Sequence, residues 1–338
     1  MKYRRLGKFG PDISAIGYGA MSFSNFYGPT DEAASHAILD KCRDAGLTHI
    51  DTADIYGNGF SEQVIGSYLK ANGQQAKSFF SLASKAGIYR SPEGVRSYRN
   101  DKAYLTQQLD HSLTVMGVEA LDLFYVHRRD ADTPIEEVTQ TLADFIKAGK
   151  IKGFGFSEIA PSSLRRANEI HHVMAVQSEY SLGVRSPEMG LIQTCKELGT
   201  AFVAFSPVGR SLLTDKPHSI EKSQALPFLQ HNPRFMEPNL SANIAITAPF
   251  RAYAKSLGLS AAGLAIAWLL KRDDHIIPIP GTRHLTHLDE VLAGANFALS
   301  DDLMTDDIMT EIERLLPIGW AHGDRYNESQ WNGPERYC

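Results

Sequence analysis

The chain has 338 residues, 43% of them hydrophobic and 22% charged, with a formal net charge of −5. That length and balance suit a globular protein with one large core or two modest ones. Without a polybasic stripe to displace counterions, they exclude a general nucleic-acid or anionic-membrane binder.

Residues 1–13, with the turn signal Gly7-Lys8-Phe9-Gly10-Pro11, read as a hairpin placed to plug the floor of a barrel. The opening MKYRRLGKFGPDIS has no apolar leader core, and no apolar run is long enough to span a bilayer, so a cytoplasmic protein is expected. Apolar, β-rich runs then follow at 14–21, 47–53, 79–85, 121–127, 151–157, 174–180, 201–207 and 275–281. Helical periodicity fills the gaps. Leu105, Leu109, Leu113 and Met116 predict a helix over 101–117, and Ile135, Val138, Leu142, Phe145 and Ile146 predict another over 134–148. Thr133-Pro134-Ile135-Glu136 reads as a capping box with proline at the first helical position, and Gly149 as the stop. Gly46 likewise closes a pattern ending near Cys42 and Ala45. A polar, proline-containing insertion runs over about 210–241, and a tail beyond about 300 carries one more helix. The cysteines Cys42, Cys195 and Cys338 lie far apart; the first two sit in helical patterns and read as buried thiols.

Eight strands alternating with helices, with no linker between them, predict an α/β chain: a (β/α)8 TIM barrel forming one domain over 1–338. Runs that are apolar at consecutive positions fit strands buried on both faces. A doubly wound open sheet is the alternative, which the repeat count disfavours.

In such a barrel, reactive side chains gather at the carboxyl ends of the strands. Those ends carry Asp51 and Tyr56 after the second strand, Lys85 on the third and His127 on the fourth. Ser157 and Glu158 end the fifth, Gln177 the sixth, and Phe205-Ser206-Pro207 the seventh. Singly, each is ordinary: a lysine there is usually solvated, a histidine usually structural, and Asp51 could cap a helix. An acid, a phenol, an ammonium and an imidazole on one rim are not ordinary.

DTADIYG, the strand-end Lys85, YVHR and the Gly281-Thr282-Arg283 segment closely resemble the aldo-keto reductase superfamily, in a branch with HR after the fourth strand and GFSE after the fifth. The resemblance runs from the first strand to residue 290, and GDRY at 323–326 is also similar. It implies an NADP(H)-dependent oxidoreductase that reduces small aldehydes or ketones, with Asp51, Tyr56, Lys85 and His127 catalytic. The chemistry of those four is coherent. Hydride addition to a carbonyl leaves an alkoxide, so a proton donor must sit at the oxygen. A free tyrosine with a pKa near 10 is a reluctant acid, and a nearby ammonium favours its anion and is expected to lower that value. Asp51 then partners the buried ammonium, and His127 orients the substrate oxygen. Asp54 has no catalytic place in this scheme and reads as a loop cap or salt-bridge partner.

The resemblance further implies that Ser157, Glu158 and Gln177 hold the nicotinamide carboxamide, that Phe205 stacks on its ring, and that Gly19 and Met21 contact the cofactor. Ser206, Pro207, Val208 and Gly209, then Arg210, would form the pyrophosphate loop. Gly281, Thr282 and Arg283 would hold the 2'-phosphate, with His287 and Glu290 near the adenine. The sequence departs from the family at Phe205, where a tyrosine is common, at His287, where many members have arginine, and at Val291, where asparagine is usual. Gly17-Tyr18-Gly19 and Gly153-Phe154-Gly155 lack the third glycine of a dinucleotide fingerprint and read as strand.

Two other functions compete: a non-catalytic NADP(H)-binding barrel that regulates a partner, disfavoured by the intact tetrad, and a metal-dependent hydrolase. His284, His287 and Glu290 fall near one helix face but lack a fourth ligand, so no metal is expected. His171 and His172 read as structural. The aromatics Phe23, Phe26 and Tyr27 in loop 22–30, Phe235, Trp320 and Trp331 suggest an apolar or ring-bearing substrate, pyridoxal-like or polycyclic, unless they merely pack the loops. The segment from Arg128 completes that rim. The physiological substrate, the preferred direction and the oligomeric state are not written in the sequence.

Overall fold

The structure is a computed structural model that describes residues 1–300 and 303–336; Cys338 lies outside the described residues. Among the described residues, one sheet holds eight strands: β1 (Gly17–Gly19), β2 (His49–Asp51), β3 (Ser81–Ala86), β4 (Leu123–Val126), β5 (Phe154–Ser157), β6 (Ala175–Glu179), β7 (Ala201–Phe205) and β8 (Ile276–Pro278). Each pairs in parallel with the next in chain order. At the seam between β1 and β8 the Gly19 N–H donates to the Pro280 carbonyl at 3.1 Å. A Cβ on Gly281 would lie 2.3 Å from the Gly19 oxygen, so only a glycine lets the two ends approach this closely. The result is a nearly closed (β/α)8 TIM barrel with flanking helices, as the eight alternating runs predict.

Strands β4, β5 and β6 are buried at every position. Inside the barrel, Ala83, Leu123, Tyr125, Ala175, Ala201, Val203 and Ile277 form one apolar cluster. Ile13, from the antiparallel pair Tyr3–Arg5 and Asp12–Ser14, and Leu6, just past the first of these strands, complete it, so the N-terminal hairpin does seal the floor. The helix Lys102–Met116 is capped by Asp101, which accepts from the Tyr104 N–H, and ends at left-handed Gly117. The capping box at 133–136 does not form. Pro134, which has no side-chain acceptor, occupies the cap of the helix Ile135–Lys147, and the Thr133 hydroxyl, one residue too early, donates to Asp130 at 2.8 Å instead. No single helix among the described residues is long and apolar enough to cross a membrane.

Three excursions shape the barrel mouth. After β3 comes an antiparallel hairpin, Ile88–Arg90 with Arg96–Tyr98, which the apolar pattern does not announce. The insertion after β7 is not an open loop: it contains a helix at Ile220–Gln224 and a 3-10 turn at Pro233–Phe235, anchored by buried Leu229 and Phe235. After the helix Asp306–Leu315, the tail crosses the mouth and is pinned by Arg325. The Arg325 guanidinium, itself buried, donates to Glu158 and, at 3.2 Å, to Glu179. Arg210 donates to Glu179 at 2.8 Å and to the Arg325 carbonyl at 2.9 Å, and Asn232 reaches the same carbonyl at 2.7 Å.

Burial alone would raise the Glu158 pKa, but Arg325 outweighs it, helped by Arg128 and the Glu179 N–H, and holds it at about 2. A carboxylate whose folded value lies below its unfolded value of 4.5 contributes stability that is complete above about 4.5 and lost as the pH falls through about 2. Arg325→Met should therefore destabilise the fold by about 3–5 kcal/mol near neutral pH, because it strips the buried Glu158 carboxylate of its salt-bridge partner while Glu179 keeps Arg210. Thermal melts of wild type and variant should differ most above pH 4.5 and converge as the pH falls toward about 2; a gap independent of pH contradicts this.

Candidate active site

The loop after β2 is folded by three consecutive left-handed residues, Gly57 (φ 62°), Asn58 (φ 54°) and Gly59 (φ 88°), just before the helix Phe60–Phe79. Glycine is required at 57 on two counts, since a Cβ there would also lie 2.9 Å from Ser24 Cβ. This tight turn brings Tyr56 back over the barrel mouth, above the end of β3. Lys85 on β3 is wholly buried, and Asp51, at the end of β2, is 2% exposed. The Lys85 ammonium donates to Asp51 Oδ1, to the Thr52 carbonyl at 2.8 Å and to Tyr56 Oη at 3.5 Å. Its three donors thus have three acceptors. Gln177 on β6 fixes Asp51 from the other side, donating to Oδ2 at 2.8 Å.

Burial works to depress the Lys85 pKa, but Asp51 and then Tyr56 outweigh it, and the group is raised and stays cationic. Tyr56 departs from the expected lowering. Burial raises its pKa more than Lys85 pulls it down, and Asp51 adds to the rise, so the net shift is upward. The phenol keeps its proton in the resting site. His127 is held well below its ordinary value by burial, then by Arg128 and Lys85, so its ring is neutral. It stands edge-on to Tyr56 with ring centroids 5.7 Å apart.

A cavity of about 920 Å³ opens over these groups. Asp51, Tyr56 and His127 line it, as do Gly19, Met21, Ser157, Gln177, Phe205, Ser206, Pro207, Val208, Arg210, Gly281, Thr282, Arg283, His287 and Glu290. Lys85 lies beneath, behind its partners. Glu158 and Gly209 are not in the lining. The Glu158 carboxylate turns away from the cavity to Arg325, the Ser178 hydroxyl (3.0 Å) and the Glu179 N–H (2.8 Å), from a left-handed backbone at φ 59°. It is a tether for the tail rather than a wall of the cavity. Ser157 accepts from Arg128 at 3.0 Å and so retains its own proton to donate.

The loop after β7 is strained: Ser206, Gly209, Arg210 and Ser211 have φ of 50°, 58°, 52° and 93°. Left-handed backbone in such a loop can present N–H groups to an anion, although the Gly209 N–H here donates back to the Ser206 carbonyl at 2.9 Å. Arg283 crosses the cavity rim to the Pro29 carbonyl at 2.6 Å, and Phe26 stacks on Phe228 at 4.2 Å, joining loop 22–30 to the insertion. The residues present therefore fit a dinucleotide: polar groups at Ser157 and Gln177, a flat ring at Phe205, an anion cradle, and a cation at Arg283.

Several expectations are corrected. Of the two readings of Asp54, the salt bridge does not form among the described residues; burial and the neighbouring Glu62 push its carboxyl up to about 8, and its Oδ1 is unpartnered among them. Phe23 and Phe235 are buried, and the indoles of Trp320 and Trp331 donate to the Leu182 carbonyl (2.8 Å) and to Asp324 (2.9 Å), so these aromatics pack the loops. His284 and His287 stand edge-on at 5.1 Å, and the described residues contain no group of three or more metal-ligating side chains. Arg90 and Arg96 of the unpredicted hairpin, with Tyr326 and Gln330 of the tail, also line the cavity. The turn residues Ser91-Pro92-Glu93-Gly94 are the signal that could have revealed the hairpin.

The profile of the aldo/keto reductase family matches residues 15–308. The chain is 36% identical over 324 residues to an aldo-keto reductase [NADP(+)] of Schizosaccharomyces pombe, covering 94% of this chain and 93% of that one. It is 33% identical over 334 residues to a probable aldo-keto reductase of Glycine max, covering 98% and 93%. Among solved structures, a glycerol dehydrogenase from Gluconobacter oxydans superposes with a TM-score of 0.80 at 22% identity, over 93% of this chain and 94% of that one, a likeness of fold. By family profile and by relatives that match almost end to end, the chain belongs to the aldo/keto reductase family.

Proposed function

We propose that this protein reduces aldehydes or ketones to alcohols with NADPH, and that Tyr56 is the general acid. The observation that carries this reading is the buried Lys85 ammonium in contact with both the Asp51 carboxylate and the Tyr56 hydroxyl at the base of the cavity. The bound cofactor supplies hydride to the carbonyl carbon. The protein's part is the proton. Tyr56, protonated at rest, gives its hydrogen to the carbonyl oxygen as negative charge builds there. The tyrosinate left behind faces Lys85, so the ammonium stabilises a charge that exists only once the reaction is under way, which is where stabilisation accelerates a step. Asp51 keeps Lys85 charged and in place, and Gln177 keeps Asp51 from turning. Neutral His127 contributes a hydrogen bond that orients the carbonyl.

Ser157 and the free amide oxygen of Gln177 offer a donor and an acceptor to the nicotinamide carboxamide, and Phe205 offers a face to its ring. Arg283 would hold the 2'-phosphate, which favours NADPH over NADH. Nothing in the geometry favours the alternative of a non-catalytic binding barrel.

Tyr56→Phe should retain NADPH affinity while turnover of a generic aldehyde falls about 10²–10⁴-fold; full turnover, read as absorbance loss at the reduced nicotinamide band, removes Tyr56 from its role. The upward shift of Tyr56 predicts a reduction rate level through neutral pH that falls only above 10.0. A rate that instead falls already on the acid side of neutrality would contradict Tyr56 as the donor, because neither its value nor the upward direction of its shift allows it. Arg283→Ala should weaken NADPH binding about 10- to 100-fold, the worth of a charge-assisted bond, and leave NADH binding nearly unchanged. Equal weakening of both in a fluorescence titration contradicts the 2'-phosphate assignment.

A further inference from the structure

The cavity wall near Tyr56 and His127 carries three guanidinium groups that the reductase reading does not use. Arg90 and Arg96 face each other across the hairpin after β3, as directly paired residues in antiparallel register. Like charges placed opposite one another destabilise a strand pair. Arg128, at the end of β4, is buried, and it donates only to the His127 carbonyl at 2.6 Å and the Ser157 hydroxyl at 3.0 Å. Arg90 and Arg96 are exposed on the rim hairpin; among the described residues no carboxylate forms a salt bridge with any of the three, whereas Arg210 and Arg325 at the same mouth each have one. Burial lowers the Arg96 pKa, and Arg128 and Arg90 add to that lowering against the opposing Tyr98 and Tyr326, as expected where cations stand close together. All three line the cavity.

Their place in the barrel separates them from the cofactor's anions. The strained loop and Arg283, which answer to the pyrophosphate and the 2'-phosphate, follow β7 and β8, whereas the arginine cluster follows β3 and β4 on the opposite side of the mouth. The hairpin is braced from outside: the Tyr98 hydroxyl donates to the Asn332 carbonyl, and Gly333 packs so closely on the Tyr98 ring that a Cβ would lie 2.6 Å from it. Arginine forks match carboxylate and phosphate oxygens two at a time.

We propose that Arg90, Arg96 and Arg128 form an anion subsite at the substrate end of the cavity, and that the preferred carbonyl substrates carry a carboxylate or phosphate group a few bonds from the reacting carbon. This rests on the reductase reading and names its substrate class. It also extends the expectation of an apolar or ring-bearing substrate, since the cavity offers Phe26, Tyr27 and Tyr326 for a ring and the arginines for a charged substituent.

Three matched benzaldehydes test it on the full chain with saturating NADPH: 4-carboxybenzaldehyde, 4-formylphenyl phosphate and the neutral methyl 4-formylbenzoate. At least one anion should show a KM about tenfold lower than the ester at similar kcat, and whichever anion leads identifies the group recognised. Arg96→Gln and Arg90→Gln should each abolish that advantage. Arg99→Gln, which removes an equal charge from a residue outside the cavity that pairs with Asp101 at 2.9 Å, should preserve it. A KM for the ester equal to or below those of both anions overturns the proposal, as does an Arg99→Gln effect matching that of Arg96→Gln. If none of the three aldehydes is reduced, the reductase reading fails on its own. Calorimetric titration of benzoate and phenyl phosphate into the NADP+-saturated protein then decides the subsite: binding that Arg96→Gln weakens supports it, and binding of neither overturns it.

Discussion

A lysine ammonium with no exposure to solvent constrains everything around it. Lys85 must be given acceptors for three donors and a counter-charge, and Asp51, the Thr52 carbonyl and Tyr56 are what the fold provides. Asp51 and Lys85 lie on adjacent parallel strands, whereas Gln177, which pins Asp51, comes from β6. Only a sheet curled into a barrel brings β2, β3 and β6 around one mouth, so the closed topology is a precondition of the charge arrangement. The upward shift of Tyr56 is part of the same account. A phenol that surrendered its proton at rest could not donate it later, and under the proposed role of Tyr56 the benefit of Lys85 is realised as the proton leaves.

Charge is also distributed around the mouth with a division of labour. Cationic and strained backbone groups after β7 and β8 suit the anionic parts of a dinucleotide, while Arg90, Arg96 and Arg128, after β3 and β4, line the opposite side of the cavity. Between these sectors the tail is locked down by Arg325 on Glu158 and Glu179. The glutamate of the GFSE motif and the arginine of GDRY thus form one unit, which gives that glutamate a structural reason. The same tail braces the arginine hairpin through Tyr98, so fold stability and the shape of the substrate mouth are coupled.

The barrel was legible because eight β-rich runs recur with helical periodicity between them, and buried strands cannot hide their apolar character. The tetrad was legible because strand ends converge, so residues distant in sequence could be placed on one rim. What escaped the sequence depends on partners or on burial. The role of Glu158 is set by an arginine 167 residues away. The hairpin carrying Arg90 and Arg96 has strands of three residues at the rim, too short and too polar to show an apolar run. The shift of Tyr56 has the opposite sign to that expected from its charged neighbour alone, because dehydration dominates. Asp54 misled in the same way: an acid beside a lysine reads as a salt bridge, yet it sits against another buried carboxylate.

The most direct test of the account is the single-turnover rate of hydride transfer to a reactive aldehyde in Lys85→Met compared with wild type, with NADPH affinity measured alongside. The account predicts a loss of about 10²–10³-fold in that rate with the cofactor still bound, the scale seen when a preorganised charge is removed from a reaction site. A variant that transfers hydride at the wild-type rate would contradict it.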